Sequence, residues 1–379
     1  MTPRIVVLGA GFGGLELTTM LSEALGEHVD VTLIDKSDGF VFGFSKLDLM
    51  FHDAAPSVVR LPYREFIKPG VRFRQELISA IDPERRIVTT DVGTYEADVL
   101  VIALGSDYDF DATPGLAEAG NEFYSVPGAI RLRDALADFS GGRVVIGVST
   151  APFKCPPAPS EAALMLHDML TTRGIREVSE ITIVLPFRRP VPPSPATSDA
   201  LVSAFAERGI AFIPQRKVSA ISTSARAAVL DDGTELPFDL FMGVPAQRAP
   251  DVVIAAGLTR NGYVPVDPQT LATRYPGVYA VGDVATQGTP KAGVFAEGAA
   301  RTVASALIAE LTGSGEVQRH TGQGSCYIEF GAERIARVDV DFFSGPEPTG
   351  SFQAPSADLR VEKQRFGASR RARWFGRTE

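Results

Sequence analysis

At 379 residues the chain is long enough for two domains and a sizeable core. Hydrophobic residues make up 45% and charged residues 22%, which excludes a disordered polymer. The net charge of −9 argues against nucleic acid as the main partner, and no run of about 18 apolar residues is present to span a bilayer.

Met1-Thr2-Pro3 leads directly into a buried-strand pattern, so no signal peptide is expected and the chain is placed in the cytoplasm. Residues 4–8 predict a strand, 15–25 a helix and 29–34 a second strand ending at Asp35. Between the first strand and the helix stands Gly9-Ala10-Gly11-Phe12-Gly13-Gly14. This is the G-x-G-x-x-G dinucleotide fingerprint in its full context. Gly9 allows the tight turn, Gly11 lets backbone approach a pyrophosphate, and Gly14 lets the helix pack on the strand. Asp35 accepts ribose hydroxyls and repels a 2′-phosphate. Residues 39–57 are expected to be irregular. Their phenylalanines, Phe40, Phe42, Phe44 and Phe51, suit either a cover for an apolar ring system or a core loop. Residues 71–90 suggest a small meander, and 95–104 a strand that ends in the turn Ala103-Leu104-Gly105-Ser106.

A second strand–helix–strand unit opens at Arg143 and closes with 181–185. Its crossover departs from the first. Gly147-Val148-Ser149-Thr150-Ala151-Pro152 replaces the glycine fingerprint, and Pro186-Phe187-Arg188-Arg189-Pro190 follows the closing strand where an acid is expected. Arg188 and Arg189 are cations for a 2′-phosphate, yet a pyrophosphate has no close seat without the glycines. The unit resembles a nicotinamide domain that has lost its ligand. Its turn carries Lys154-Cys155-Pro156-Pro157-Ala158-Pro159-Ser160-Glu161 instead, and proline offers no N–H to a phosphate. A helix is expected over 199–208 and short strands over 211–240. Val281-Gly282-Asp283 ends a further strand, the segment 291–297 precedes a long Ala-rich helix, and Cys326 follows Gly324-Ser325.

Two cysteines are too few for a disulfide framework. On spacing alone, a redox pair and two unrelated buried thiols both stay open. The four histidines form no motif, and no cluster has metal-ligand spacing. From Arg360 to Glu379 the chain carries seven basic residues, with Glu362 and Glu379 as the only acids. Phe366, Trp374 and Phe375 are interleaved with them, a composition that suits a segment lying on an anionic membrane surface.

With these pieces in order the chain resembles the two-dinucleotide-domain flavoproteins. The fingerprint from Gly9 to Asp35, the turn at Gly105 and the Gly282-Asp283 pair match the family's FAD motifs. Within that group it resembles the sulfide:quinone oxidoreductases and the flavin subunit of flavocytochrome c sulfide dehydrogenase. Lys154 to Glu161 is similar to their first redox-cysteine motif, Gly324-Ser325-Cys326 to their second, and Lys291 to Glu297 to the segment beneath the flavin. It departs from them in three places. Residues 123–131 hold no third cysteine, no cysteine near Phe42 is placed to tether the flavin, and residues 44–48 lack the usual proline-bearing segment.

The resemblance implies an α/β fold of two Rossmann-like domains. Residues 1–110 with 241–320 form a discontinuous FAD-binding domain and 111–240 a degenerate NAD(P)-like domain. Residues 321–379 form a C-terminal segment for membrane and quinone, with the second redox cysteine and an amphipathic basic tail. It implies an FAD-dependent oxidoreductase in which Cys155 and Cys326 meet as a disulfide or sulfur-bridged pair that sulfide, or a related small sulfur donor, opens. Electrons pass through FAD to a membrane quinone at the inner face of the cell membrane. Lys154 and a helix N-terminus beside Cys155 would favour its thiolate. Glu161 is the candidate proton carrier, and Lys291 the candidate stabiliser of charge on reduced flavin. The rivals are an NADH:quinone oxidoreductase on the same fold and a non-catalytic flavin-binding redox sensor. Homo-oligomerisation is left open.

Overall fold

The computed structural model describes residues 3–52 and 54–377. Arg4–Leu8 pairs in parallel with Asp30–Asp35 on one side and Val99–Ile102 on the other. Val71–Gln75 and Val278–Ala280 complete a five-stranded parallel sheet. Its inner strands Arg4–Leu8, Asp30–Asp35 and Val99–Ile102 are largely apolar on both faces, as a sheet covered on both sides requires, while the edge strand Val71–Gln75 turns Arg72 and Arg74 outward. Ile5 and Val7 face the helices Phe12–Leu25 and Gly293–Thr312, where they meet Leu15, Leu17 and Val303. Val6 and Leu8 face the opposite way, toward Val88 and Val253.

The second unit is a four-stranded parallel sheet in the order Ile210–Pro214, Ser179–Leu185, Gly142–Val148, Leu240–Val244. Its crossover helix is Ala158–Thr172. The strand Leu240–Val244 belongs wholly to this sheet, so a domain boundary at 240/241 falls inside it. An antiparallel sheet follows, of Gln323–Glu329, Ile335–Asp341 and Thr349–Ser356. Its Ile328, Ala336, Val338 and Val340 join the core under the second parallel sheet, which carries Cys326 to the side of the crossover helix.

Three expectations are corrected here. Residues 39–57 are not irregular throughout, because Leu47, Leu49 and Met50 drive a short helix, Ser45–Phe51, into the same core. Val71–Gln75 pairs with Asp30–Asp35 as a strand of the first sheet, and the meander proper begins at Ile78. The tail is a helix, Asp358–Phe375, but its aromatic end is not laid out for lipid. Trp374 is 1% and Phe375 6% exposed, both within the core of the first sheet. Arg360, Lys363, Arg370, Arg373 and Arg377 pair with Glu333, Glu329, Glu297, Glu23 and Glu65, so most of the basic charge is neutralised from within. Among the described residues no helix is long and apolar enough to cross a membrane.

Candidate functional site

The first turn is built for close approach. A Cβ on Gly9, whose φ is +97°, would lie 2.4 Å from the Ala103 carbonyl oxygen, and one on Gly14 would lie 1.9 Å from the Gly9 oxygen. Both positions are closed to side chains by backbone. At Gly11 and Gly105 a Cβ would meet nothing within 4 Å, because both border a cavity of about 440 Å³. The Asp35 carboxylate also lines that cavity and accepts from Ala10 N–H and Ser37 N–H at 2.8 Å each, which fixes its direction. The Asp283 carboxylate faces the cavity with no hydrogen bond from any described residue. Burial raises its pKa, against Lys154, Lys291 and Lys46. Of the predicted cofactor residues, Gly9, Gly11, Asp35, Gly105, Gly282 and Asp283 all border this one space. Gly14 stands behind it as a packing residue.

The same cavity holds all four predicted reactive side chains, Cys155, Glu161, Lys291 and Cys326. Both cysteines are free thiols. Cys155 has a φ of 48°, in the left-handed region that a Cβ disfavours by roughly 1–2 kcal/mol. It is held there because its N–H donates to the Lys291 carbonyl at 2.8 Å and its own carbonyl accepts from Ala158 N–H at 2.9 Å. Burial pushes the Cys155 thiol well up, with Glu161 and Cys326 adding to it, and pushes Cys326 up to about 12. The expectation that Lys154 would favour the thiolate is corrected. Its ammonium donates to the Ser106 carbonyl at 2.9 Å, and the cation that lowers the Cys155 pKa is Lys46. Adjacency in sequence put the wrong lysine beside the sulfur.

Glu161 sits in the first turn of the crossover helix at 3% exposure and accepts from Glu329 N–H at 3.0 Å. Burial lifts its carboxyl from 4.5 to about 7, against the pull of Lys363. Lys291 is buried, donates to the Asp283 carbonyl at 2.6 Å and is lowered to about 8, chiefly by burial.

Three site residues escaped sequence reasoning. Lys46 comes from the short helix Ser45–Phe51, in a stretch that the sequence predicts to be irregular. Lys363 and Phe366 come from the tail. Lys363 pairs with Glu329 at 2.5 Å, and although burial alone would lower its ammonium, Glu161 and Glu329 hold it above its ordinary value. The i, i+3 spacing of Lys363 and Phe366 on one helical face was the available signal.

Thus a glycine cradle, two carboxylates and a pair of thiols share one space, which defines a redox protein of the dinucleotide-binding flavoprotein class. Comparison with known proteins narrows this. Residues 3–306 match the pyridine nucleotide-disulphide oxidoreductase family, and the chain belongs to it. FAD is the cofactor that this family and this cradle share. The mitochondrial sulfide:quinone oxidoreductase of Schizosaccharomyces pombe is 25% identical over 92% of this chain and 82% of its own. The NADH dehydrogenase-like protein MT1860 of Mycobacterium tuberculosis is 33% identical, but over only 39% of this chain and 38% of its own length. Among solved structures, the sulfide:quinone oxidoreductase of Aquifex aeolicus superposes with a TM-score of 0.85 at 24% identity, covering 98% of this chain and 92% of that one. NDH2 of Plasmodium falciparum superposes at 0.74 with 13% identity, over 99% and 97%.

Proposed function

We propose that the chain oxidises sulfide, or a related small sulfur anion, through Cys155 and Cys326 and delivers the electrons by way of FAD to a quinone. One observation carries this reading: two cysteines distant in sequence line the cavity that also holds the FAD cradle. The region where a second dinucleotide would bind argues against the NADH rival. Phe153 fills its crossover loop at 2% exposure and stacks on Phe187, and Arg189 is engaged by Asp199 at 3.6 Å.

In the oxidised pair, hydrosulfide attacks one sulfur of a Cys155–Cys326 disulfide. A new S–S bond forms to that cysteine, the cysteine–cysteine bond breaks, and its electron pair stays on the other sulfur as a thiolate. Cys326 holds a proton more tightly than Glu161, so the Glu161 carboxyl is placed to donate to the departing thiolate. Lys363, across from Glu161, keeps that acid from rising further and so keeps it near neutrality. Lys291 brings fixed positive charge to the Asp283 side of the cavity. FAD, when bound, accepts the electron pair and passes it to the quinone.

A lipid-soluble quinone implies peripheral contact with the inner face of the membrane. Val361 and Arg365 are exposed on the tail helix, and Arg365 and Arg371 are its basic residues without an ionic partner among the described residues. That reduced face, rather than Trp374 and Phe375, is the part of the tail left for lipid.

Anaerobic incubation with sulfide followed by alkylation and peptide mass spectrometry tests the sulfur step. The expected product is one extra sulfur atom on the peptide of Cys155 or Cys326. Its absence from both, in protein whose flavin sulfide has bleached, would remove the cysteines from the reaction.

A further inference from the structure

Four lysines, Lys46, Lys154, Lys291 and Lys363, line the cavity. Three of them are occupied. Lys154 donates to the Ser106 carbonyl at 2.9 Å and stands 4.3 Å over the Tyr108 ring. Lys291 donates to the Asp283 carbonyl at 2.6 Å and stands 3.6 Å over the Tyr263 ring. Lys363 is paired with Glu329. The Lys46 ammonium has no hydrogen bond and no ion pair among the described residues. An ammonium carries three donors, and withdrawing it even partly from water without a partner, as at the half-buried Lys46, is costly. The helix Ser45–Phe51 nevertheless anchors it there, because the neighbouring Leu47, Leu49 and Met50 are committed to the core.

The titratable groups near enough to act on Lys46 electrostatically are Lys154, Cys155, Glu122 and Asp283. Glu122 is already used, accepting from Tyr124 N–H at 2.7 Å and Ser125 N–H at 2.9 Å. Asp283 belongs to the cofactor cradle. The remaining group is Cys155, which lines the same cavity as Lys46 and interacts with it electrostatically.

We propose that Lys46 is an anion seat beside Cys155, whose free ammonium holds the negative charge of the incoming sulfur nucleophile against the Cys155 sulfur of the oxidised pair. Sulfur as the anion's element rests on the function proposed above; the seat itself rests on the cavity alone. The seat works only while Lys46 is charged. Burial and the nearby Lys154 lower it to about 8, so the attraction is present at neutral pH and is lost as pH rises through that value.

The test compares alkylation of Cys155 by anionic iodoacetate and neutral iodoacetamide. The FAD-loaded full chain is used, with Cys326→Ser leaving Cys155 as the only thiol. Because both reagents attack the same thiolate, the ratio of their rates cancels changes in thiol ionisation and reads the local charge. At about pH 7 the ratio should fall about tenfold on Lys46→Met, the scale expected for one charge a few ångströms away. In the parent protein the ratio should also fall between about pH 7 and about pH 9, as a lowered lysine titrates. In Lys46→Arg it should stay high at both, since a guanidinium does not titrate there. An unchanged ratio in Lys46→Met overturns the proposal. If Lys46→Met does not retain FAD, then Lys46→Arg decides, and the same pH-dependent fall as in the parent overturns it. A seat that passes this test in a protein that sulfide does not reduce would keep Lys46 and discard sulfide. Reduction by sulfide with no charge preference would do the reverse.

Discussion

The Trp374 indole N–H donates to Glu16 Oε2 at 3.0 Å, which ties the last turn of the chain to the first nucleotide-binding helix. The Trp374 ring meets Phe12, inside the glycine fingerprint, edge to face at 5.8 Å, and Phe40 at 5.5 Å. Glu16 also accepts from Arg301 at 2.8 Å, so this buried carboxylate depends on its partners. The tail is therefore a clasp on the cofactor domain as well as the source of Lys363 and Phe366.

Trp374→Ala should cost about 3–5 kcal/mol of stability, as large-to-small changes in aromatic cores do. Trp374→Phe should cost about 1–3 kcal/mol, because it leaves one Glu16 oxygen without its buried donor. Deleting residues 359–379 should lower FAD content and abolish turnover. Thermal unfolding and the flavin-to-protein absorbance ratio measure both, and full flavin content after the deletion would contradict the clasp.

Asp283→Ala removes the unpartnered carboxylate from the cradle and should weaken FAD binding about 10–100-fold, the worth of hydrogen bonds to a charged acceptor. Asp35→Ala should do the same while also loosening the Ala10 and Ser37 turns that it fixes. Acid should release the flavin intact from the parent protein, since Cys155 and Cys326 are its only cysteines and neither lies near Phe42. Dialysis against potassium bromide followed by FAD titration gives the affinities.

Cys155→Ser and Cys326→Ser should each abolish reduction by sulfide, and the double variant should be hardly slower than either single one, because groups that act in one step are not additive. Stopped-flow bleaching of the flavin measures this. Near-parental turnover in either single variant would leave two unrelated buried thiols.

Glu161 gives a pH signature. Its pKa is raised on folding from 4.5 to about 7, so the native state binds this proton more tightly than the unfolded chain does. Its contribution to stability is full below about 4.5 and is lost as pH rises through about 7. Glu161→Gln keeps an acceptor for Glu329 N–H without the charge. It should match the parent near pH 5 and be ~1–3 kcal/mol more stable near pH 8, while slowing the sulfide reaction at both. Urea unfolding at the two pH values measures the difference.

The nucleotide-binding architecture was legible because it is local. A strand, three spaced glycines and an acid about twenty residues on state their backbone requirements in one short segment, and the backbone closed behind Gly9 and Gly14 answers them. Cys155 was legible for the same reason, standing in a turn where proline displaced phosphate ligands. Lys46 and Lys363 were not legible. Each lies on a helix whose neighbours are core or surface, and only the packing of separate segments turns them toward Cys155 and Glu161. Trp374 misled because aromatic residues among arginines have one composition whether lipid or a protein core receives them. Its burial was decided by Glu16 and Phe12, more than 350 residues away in sequence.

The central claim is that electrons enter at the cysteine pair and not at the second dinucleotide fold. Anaerobic titration of the purified yellow protein, first with sulfide and separately with NADH, tests it most directly. The account predicts that sulfide bleaches the flavin absorbance at about one equivalent, the two-electron stoichiometry of FAD, and that NADH leaves it unchanged. Rapid bleaching by NADH with no response to sulfide would contradict it.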